Sequence, residues 1–174
     1  MINPRHQPRK LRYLRFVVEV CLFLGATGCA LLGSGNISVP RATHYRVTAP
    51  HDWKPLDSSE SDHAYQLPSG NIATLNSSCN SASHHPLTYL SQDLILGARD
   101  VDYQQRKPLT VDGTEGLYSA LTLTMNKAPF HMRIFVMAKQ GCVFDFSLLS
   151  PRPIPATETE EFLAFVKSFK YGKN

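Results

Sequence analysis

The residues best suited to chemistry fall loosely in the middle of the chain. His84 and His85 follow Cys79 by five and six positions, and His63 precedes all three. Neutral imidazole with thiolate is a good ligand set for zinc. These spacings match no recognised finger or ribbon, however, and the set requires Cys79 to be free. The plainer expectation is a polar loop ahead of a helix. His131 alternates with Arg133 along an expected strand, where a solvated or half-buried polar face accounts for it. No serine occupies a Gly-x-Ser-x-Gly elbow, so a Ser-His-Asp set would have to assemble in space around His63, His84 or His131. Asp100 and Asp102 are expected in a polar loop at a helix end. Glu158, Glu160 and Glu161 are expected in the first turn of the last helix, where their charge complements the dipole. Gly113 and Gly116 belong to a hairpin, not to a phosphate-binding loop. No catalytic residue, cofactor or metal is therefore expected. Two rivals stay open: a small hydrolase, and a metal-handling protein that uses Cys79, His84 and His85.

Charge narrows the partners. The chain carries 18 basic and 14 acidic residues, a formal net charge of +4. Five of the basic residues (Arg5, Arg9, Lys10, Arg12 and Arg15) and one acid (Glu19) precede Cys29. Eighteen less five and fourteen less one leave thirteen of each sign beyond that point. The excess belongs to the N-terminal segment alone, so the clustered basic footprint of a nucleic-acid binder is missing.

That segment has the layout of a secretory signal: basic residues, the apolar run Val20-Cys21-Leu22-Phe23-Leu24, then Gly25-Ala26-Thr27-Gly28 before Cys29. The run is well short of the ~20 apolar residues of a spanning helix. Ala26-Thr27-Gly28-Cys29 resembles the lipobox of bacterial lipoproteins. The resemblance implies a signal peptide over 1–28, acylation of Cys29, and a lipid-anchored protein facing the periplasm. Ala30 in place of an aspartate implies sorting to the outer membrane. With Cys21 removed and Cys29 acylated, Cys79 and Cys142 remain, and an even remainder in an oxidising compartment reads as one disulfide. Two buried free thiols are the alternative.

The supporting elements follow from periodicity. Residues 29–43, with Gly33-Ser34-Gly35-Asn36, read as a tether, and the folded domain is expected over 44–174. Tyr45 to Ala49 is a strand stopped by Pro50. His63 to Leu67 and Asn71 to Asn76 flank the turn Pro68-Ser69-Gly70. Pro86 begins a helix with Leu87, Leu90, Leu94 and Ala98 on one face. Around the turns Asp112-Gly113 and Lys139-Gln140-Gly141 lie three alternating strands. Their core phase is expected to hold Leu117, Leu121 and Leu123, then Phe130, Met132, Ile134 and Val136, then Cys142, Phe144, Phe146 and Leu148. Tyr118, Phe135, Met137, Val143 and Leu149 occupy the opposite phase. They form an exposed patch unless a helix covers them. Thr157 and Glu160 read as a capping box for a final helix with the stripe Phe162, Phe165, Val166 and Phe169. An antiparallel β-sheet covered by helices is an α+β domain.

Within this frame Tyr45-Arg46-Val47 leading to Pro50 and Trp53 resembles the opening strand and turn of PsbP-like domains. Val111-Asp112-Gly113 with Gly116, and the terminal Phe165-Val166-Lys167-Ser168-Phe169, are similar to the same fold. The resemblance implies an α-β-α sandwich. It also implies a non-catalytic binding or accessory role, here as an assembly subunit of an envelope complex with a protein partner.

Overall fold

Residues that alternate in hydrophobicity pair into strands. In the computed structural model, which describes residues 40–79 and 81–172, a short strand β1 (Tyr45–Arg46) is followed by β2 (Lys54–Pro55), β3 (His63–Gln66) and β4 (Ile72–Ser78). A single tight turn (Ser81–His84) and helix α1 (Leu87–Asp93) lead to β5 (Arg99–Val111), β6 (Thr114–Met125), β7 (Ala128–Lys139) and β8 (Cys142–Ser150). Helix α2 (Ala156–Lys167) and β9 (Lys170–Tyr171) complete the chain. Strands β2 to β8 form one antiparallel sheet in the order β2-β3-β4-β8-β7-β6-β5, while β1 pairs with β9. The expected signal peptide 1–28, Cys29 and nearly all of the tether 29–43 lie outside the described residues.

Both faces of the sheet are buried, under one helix each. Phe135, Met137, Phe144, Phe146 and Leu148 pack with Phe162, Phe165 and Val166 of α2 and with Phe169. Leu121, Leu123, Met132, Ile134 and Val136 pack with Leu90 of α1. The fold is an α+β domain with a helix on either side of an antiparallel sheet.

This arrangement corrects the expected phases. Across β7 and β8, Met137 faces Phe144 and Phe135 faces Phe146. The phenylalanines of β8 therefore share a face with Tyr118, Phe135 and Met137, not with Met132, Ile134 and Val136. The turn at Gln140-Gly141 sets this register, and a one-residue slip moves every side chain to the other face. The five residues of the opposite phase, a patch only if no helix covers them, are covered and divided between the two cores. Tyr118, Phe135, Met137 and Val143 are buried and Leu149 is half-buried.

Other boundaries move for local reasons. The first strand stops at Arg46. Helix α1 ends at Asp93, and Leu94 and Ala98 reach the core through turns that finish at Gly97, whose φ of 84° is left-handed. Asp100 and Asp102 lie in β5, not in a polar loop. The capping box is absent: α2 starts at Ala156 behind Pro155, whose extended backbone (φ −60°, ψ 156°) serves as the N-cap without a side-chain bond. Glu158 instead accepts from Asn71 Nδ2 at 2.6 Å, and Glu161 from Trp53 Nε1 at 3.3 Å, so α2 is fastened to the start of β4 and to the Pro50–Trp53 turn. At Gly116 a Cβ would fall inside the ring of Phe135 and 2.7 Å from the Val136 carbonyl oxygen, which explains glycine there.

The far end of the sheet is tied by Asp112 in the β5–β6 turn. Its carboxylate accepts from Lys139 Nζ at 2.6 Å and from the Tyr171 amide at 3.1 Å, with Lys170 Nζ at 3.5 Å. The Lys139 bond, then the Tyr171 amide, hold its carboxyl down at about 2. A depressed acid contributes stability above its unfolded pKa of about 4 and loses it as pH falls towards 2. Asp112→Asn should therefore cost about 1.5–3 kcal/mol at neutral pH, the usual value of a charge-assisted bond. Urea titration at pH 7 and again near pH 2 checks this. A loss of equal size at both would show that shape, not charge, is responsible.

Candidate functional site

The disulfide decides the fate of the rival metal set. Cys79 and Cys142 are bonded to each other, so neither offers a thiolate. His84 and His85 are exposed, and the ring of His85 lies 4.9 Å from that of Tyr89. His63 packs between Tyr45 (5.8 Å) and Tyr65 (6.4 Å). His131 lies on β7 opposite Thr122 and Ser150. Strands β4 and β8 separate β3 from β7, a span of about 14 Å at normal strand spacing. His63 and His131 thus stand apart. Among the described residues no three His, Cys, Asp or Glu side chains come close enough to hold a metal ion. Glu158 and Glu161 are committed to the bonds of α2, and Glu160 is exposed on the same helix.

Two polar clusters that the motif reading missed are built instead around β4. The first gathers on Asp62, which precedes β3. Its carboxylate pairs with Arg41 at 3.0 Å and accepts from the Tyr45 hydroxyl at 3.0 Å and from the Ser77 hydroxyl. Ser77 Oγ in turn accepts from the Ala42 amide at 2.8 Å, and the Cys79 amide donates to the Pro40 carbonyl at 2.8 Å. Burial first, and the Asp62 charge second, push the Tyr45 hydroxyl well above its ordinary pKa, so it remains a donor. The residues from Pro40 to Ala42 are thus docked on the domain, four positions before the expected start at His44. The bridge lies at the same end of β4.

The second cluster is a pair of polar rungs across β4 and β8. Thr74 and Ser147 bond at 2.8 Å, and Asn76 Nδ2 donates to Asp145 Oδ1 at 2.9 Å. Asp145 lies opposite Val136, so it shares the face covered elsewhere by α1. Burial pushes its carboxyl up to about 6, against the lowering effect of the Asn76 bond, and the negative charge of Asp62 adds to the rise. Asn76 Oδ1 is buried with no partner among the described residues. A carboxyl poised near 6 is a hydrogen-bond donor below that pH and an acceptor above it. Asp145 alternates with Phe144 and Phe146, so it lies on the face opposite theirs. What raises its pKa is the covering of the second face, which alternation alone cannot reveal.

No protein-family model matches the chain, and neither does any curated protein. Several solved structures are similar to it. The solution structure of cyanobacterial PsbP (CyanoP) from Synechocystis superposes with a TM-score of 0.55 at 15% identity, covering 80% of this chain and 95% of that one. A crystal structure of a Bacteroides thetaiotaomicron protein gives 0.51 at 14% identity, over 75% of this chain and 46% of that one. LpqN, described as involved in cell envelope biogenesis of Mycobacterium tuberculosis, gives 0.48 at 13% identity, over 79% and 87%. At these identities the likeness is one of fold, and the fold is PsbP-like.

Proposed function

We propose that this chain is a lipid-anchored accessory protein of the bacterial cell envelope, acylated at Cys29 and facing the periplasm from the outer membrane. Its domain acts by binding a protein partner, as an assembly subunit, and performs no catalysis. The observation that carries this reading is the filling of both faces of the sheet. Tyr118, Phe135 and Ile134 are at most 2% exposed, so side chains occupy the places where an internal substrate would lie. What the domain offers a partner is its surface. The dispersal of His63, His84 and His131 over separate elements supports the same choice against a hydrolase.

The leader supports the address. Among the described residues no helix is long and apolar enough to cross a membrane. Acyl chains contribute about 0.8 kcal/mol per buried methylene, and two or more on one cysteine hold a protein durably. Cys29→Ser is expected to move the protein from the membrane fraction to the soluble periplasmic fraction. Retention in washed membranes of a variant that has lost its leader, as read from its mass, would refute the anchor. Native mass spectrometry of the protein extracted from its own membranes adds a second reading. A chain starting at Cys29, heavier by its lipid and lighter by two hydrogens for the bridge, is expected. A co-purifying polypeptide would identify the partner, and an unlipidated full-length chain would overturn the proposal.

A further inference from the structure

We propose that the cleft between the turn after α1 and the β6–β7 hairpin binds the phosphoethanolamine headgroup of a membrane lipid, the phosphate on Arg99 and Lys127 and the ammonium on Asp100. The cleft has a volume of about 510 Å³ and is lined by Gly97, Arg99, Asp100, Thr124, Asn126 and Lys127. That volume is in the range of small-molecule sites. Both signs of charge face one space together with a hydroxyl and an amide, which is the complement of a zwitterion.

Three further observations point the same way. First, Arg99, Asp100 and Lys127 are exposed, and among the described residues none of them is in an ion pair, whereas Arg41, Lys139 and Lys170 all are. Their charges are available. Second, Asp100 is left-handed (φ 51°) inside β5, where the register slips between Arg99 and Asp102. The other left-handed residues that are not glycine, Asp112, Asn126, Lys127 and Gln140, all sit in hairpin turns. A bulge re-aims a side chain, and strain of this kind outside a turn is characteristic of functional sites.

Third, Leu96, the neighbour in sequence of the lining residue Gly97, is 78% exposed. An exposed apolar side chain beside paired charges is the composition of a membrane interface. The leucine enters the acyl region while Arg99 and Lys127 remain at headgroup level. The lining of the cleft itself holds two cations and one acid. A cleft that presents both signs suits a zwitterionic headgroup, whose phosphate and ammonium each meet an opposite charge. Ethanolamine is further selected over choline because only a primary ammonium can donate hydrogen bonds to a carboxylate. Such a contact is weak and reversible, and it would orient a tethered domain against the bilayer. The inference deepens the envelope reading but does not depend on acylation of Cys29.

The test uses the full chain carrying Cys29→Ser, with co-sedimentation on phosphatidylcholine vesicles with and without phosphatidylethanolamine. The leader is common to parent and variants, so it cancels from each comparison. Phosphatidylethanolamine is expected to raise binding of the parent, and Asp100→Asn to abolish that preference. Leu96→Ser should weaken binding to phosphatidylethanolamine vesicles about tenfold, the effect of withdrawing one leucine from the bilayer. The same substitution should leave the response to soluble phosphoethanolamine unchanged, read from the amide resonances of Gly97, Arg99 and Lys127. A parent that does not distinguish the two lipids, or an Asp100→Asn variant that still does, overturns the proposal. Binding of soluble phosphoethanolamine without any vesicle response overturns the lipid assignment in favour of a free zwitterion. None of these results bears on the anchor, which Cys29→Ser in cells tests separately.

Discussion

Replacing Cys79 and Cys142 together by alanine is expected to lower the stability of the domain by about 4 kcal/mol, the chain-entropy value for a bridge of this span. The two cysteines are 63 positions apart, so the bridge closes a long loop in the unfolded chain. For a domain of this size the loss corresponds to a fall in Tm of roughly 10–20 °C. Reductant should bring the parent down to the Tm of the double variant and leave the variant where it is. Scanning calorimetry with and without reductant, with thiols counted by alkylation, checks both. A reduced parent that keeps its Tm would show that the bridge contributes nothing. The effect also has a local signature. Cys79 donates its amide to the Pro40 carbonyl, and Ala42 is held by Ser77 two residues earlier on β4. Loosening that end of β4 should speed amide exchange at Ala42 and Cys79 before it affects β6 or β7. If Cys29 carries lipid, as proposed, the docked segment from Pro40 to Ala42 marks where the tether ends and the rigid domain begins.

What could be read from the chain, and what could not, separates along one physical line. Alternation and turn residues are local, and they located β6, β7 and β8 and both flanking turns. The final helix announced itself through Phe162, Phe165 and Val166, all of which are fully buried. The face on which each strand's residues lie is not local. It depends on the register across Gln140-Gly141, and an error there exchanged partners between the two cores. Strand β5 was only partly visible because it is an edge. Arg99, Asp100, Asp102, Arg106, Lys107 and Pro108 protect it from pairing with other chains, and the same residues erase the period-two signal. The cap of α2 was misread because Thr157 and Glu160 have the right spacing, yet Pro155 had already set the start of the helix. The clusters around Asp62 and Asp145 are furthest from sequence. Each joins residues from three or two separate elements, and burial by a second layer decides their chemistry. Asn126-Lys127 between two alternating strands was the one local hint of the cleft beside Arg99.

Asp145 offers the sharper test of that second layer. Its carboxyl sits at about 6 in the folded domain, against an ordinary value near 4, because burial disfavours the charged form. A raised acid works in the opposite sense to Asp112. Its contribution is fully present below about pH 4 and is lost as pH rises through 6, when the folded state must hold a buried carboxylate. Two pH units correspond to about 3 kcal/mol. Asp145→Asn keeps the shape and can still accept from Asn76 Nδ2, but it cannot ionise. The variant is therefore expected to match the parent near pH 4 and to exceed it by about 2–3 kcal/mol at pH 8, so that a polar substitution in a nearly buried place stabilises. Other ionisable groups also change charge between pH 4 and pH 8. Their contribution is common to both proteins, and the difference between the two curves isolates Asp145. Urea denaturation at intervals from pH 4 to pH 8 measures that difference. A flat difference would mean that water reaches the carboxylate freely and that the face of β4 and β8 is open. A rising difference with its midpoint near 6 would mean that the rungs formed by Thr74, Ser147, Asn76 and Asp145 lie in a covered layer. The charge of Asp145 would then be a standing cost to stability, of the kind proteins retain at sites that serve binding.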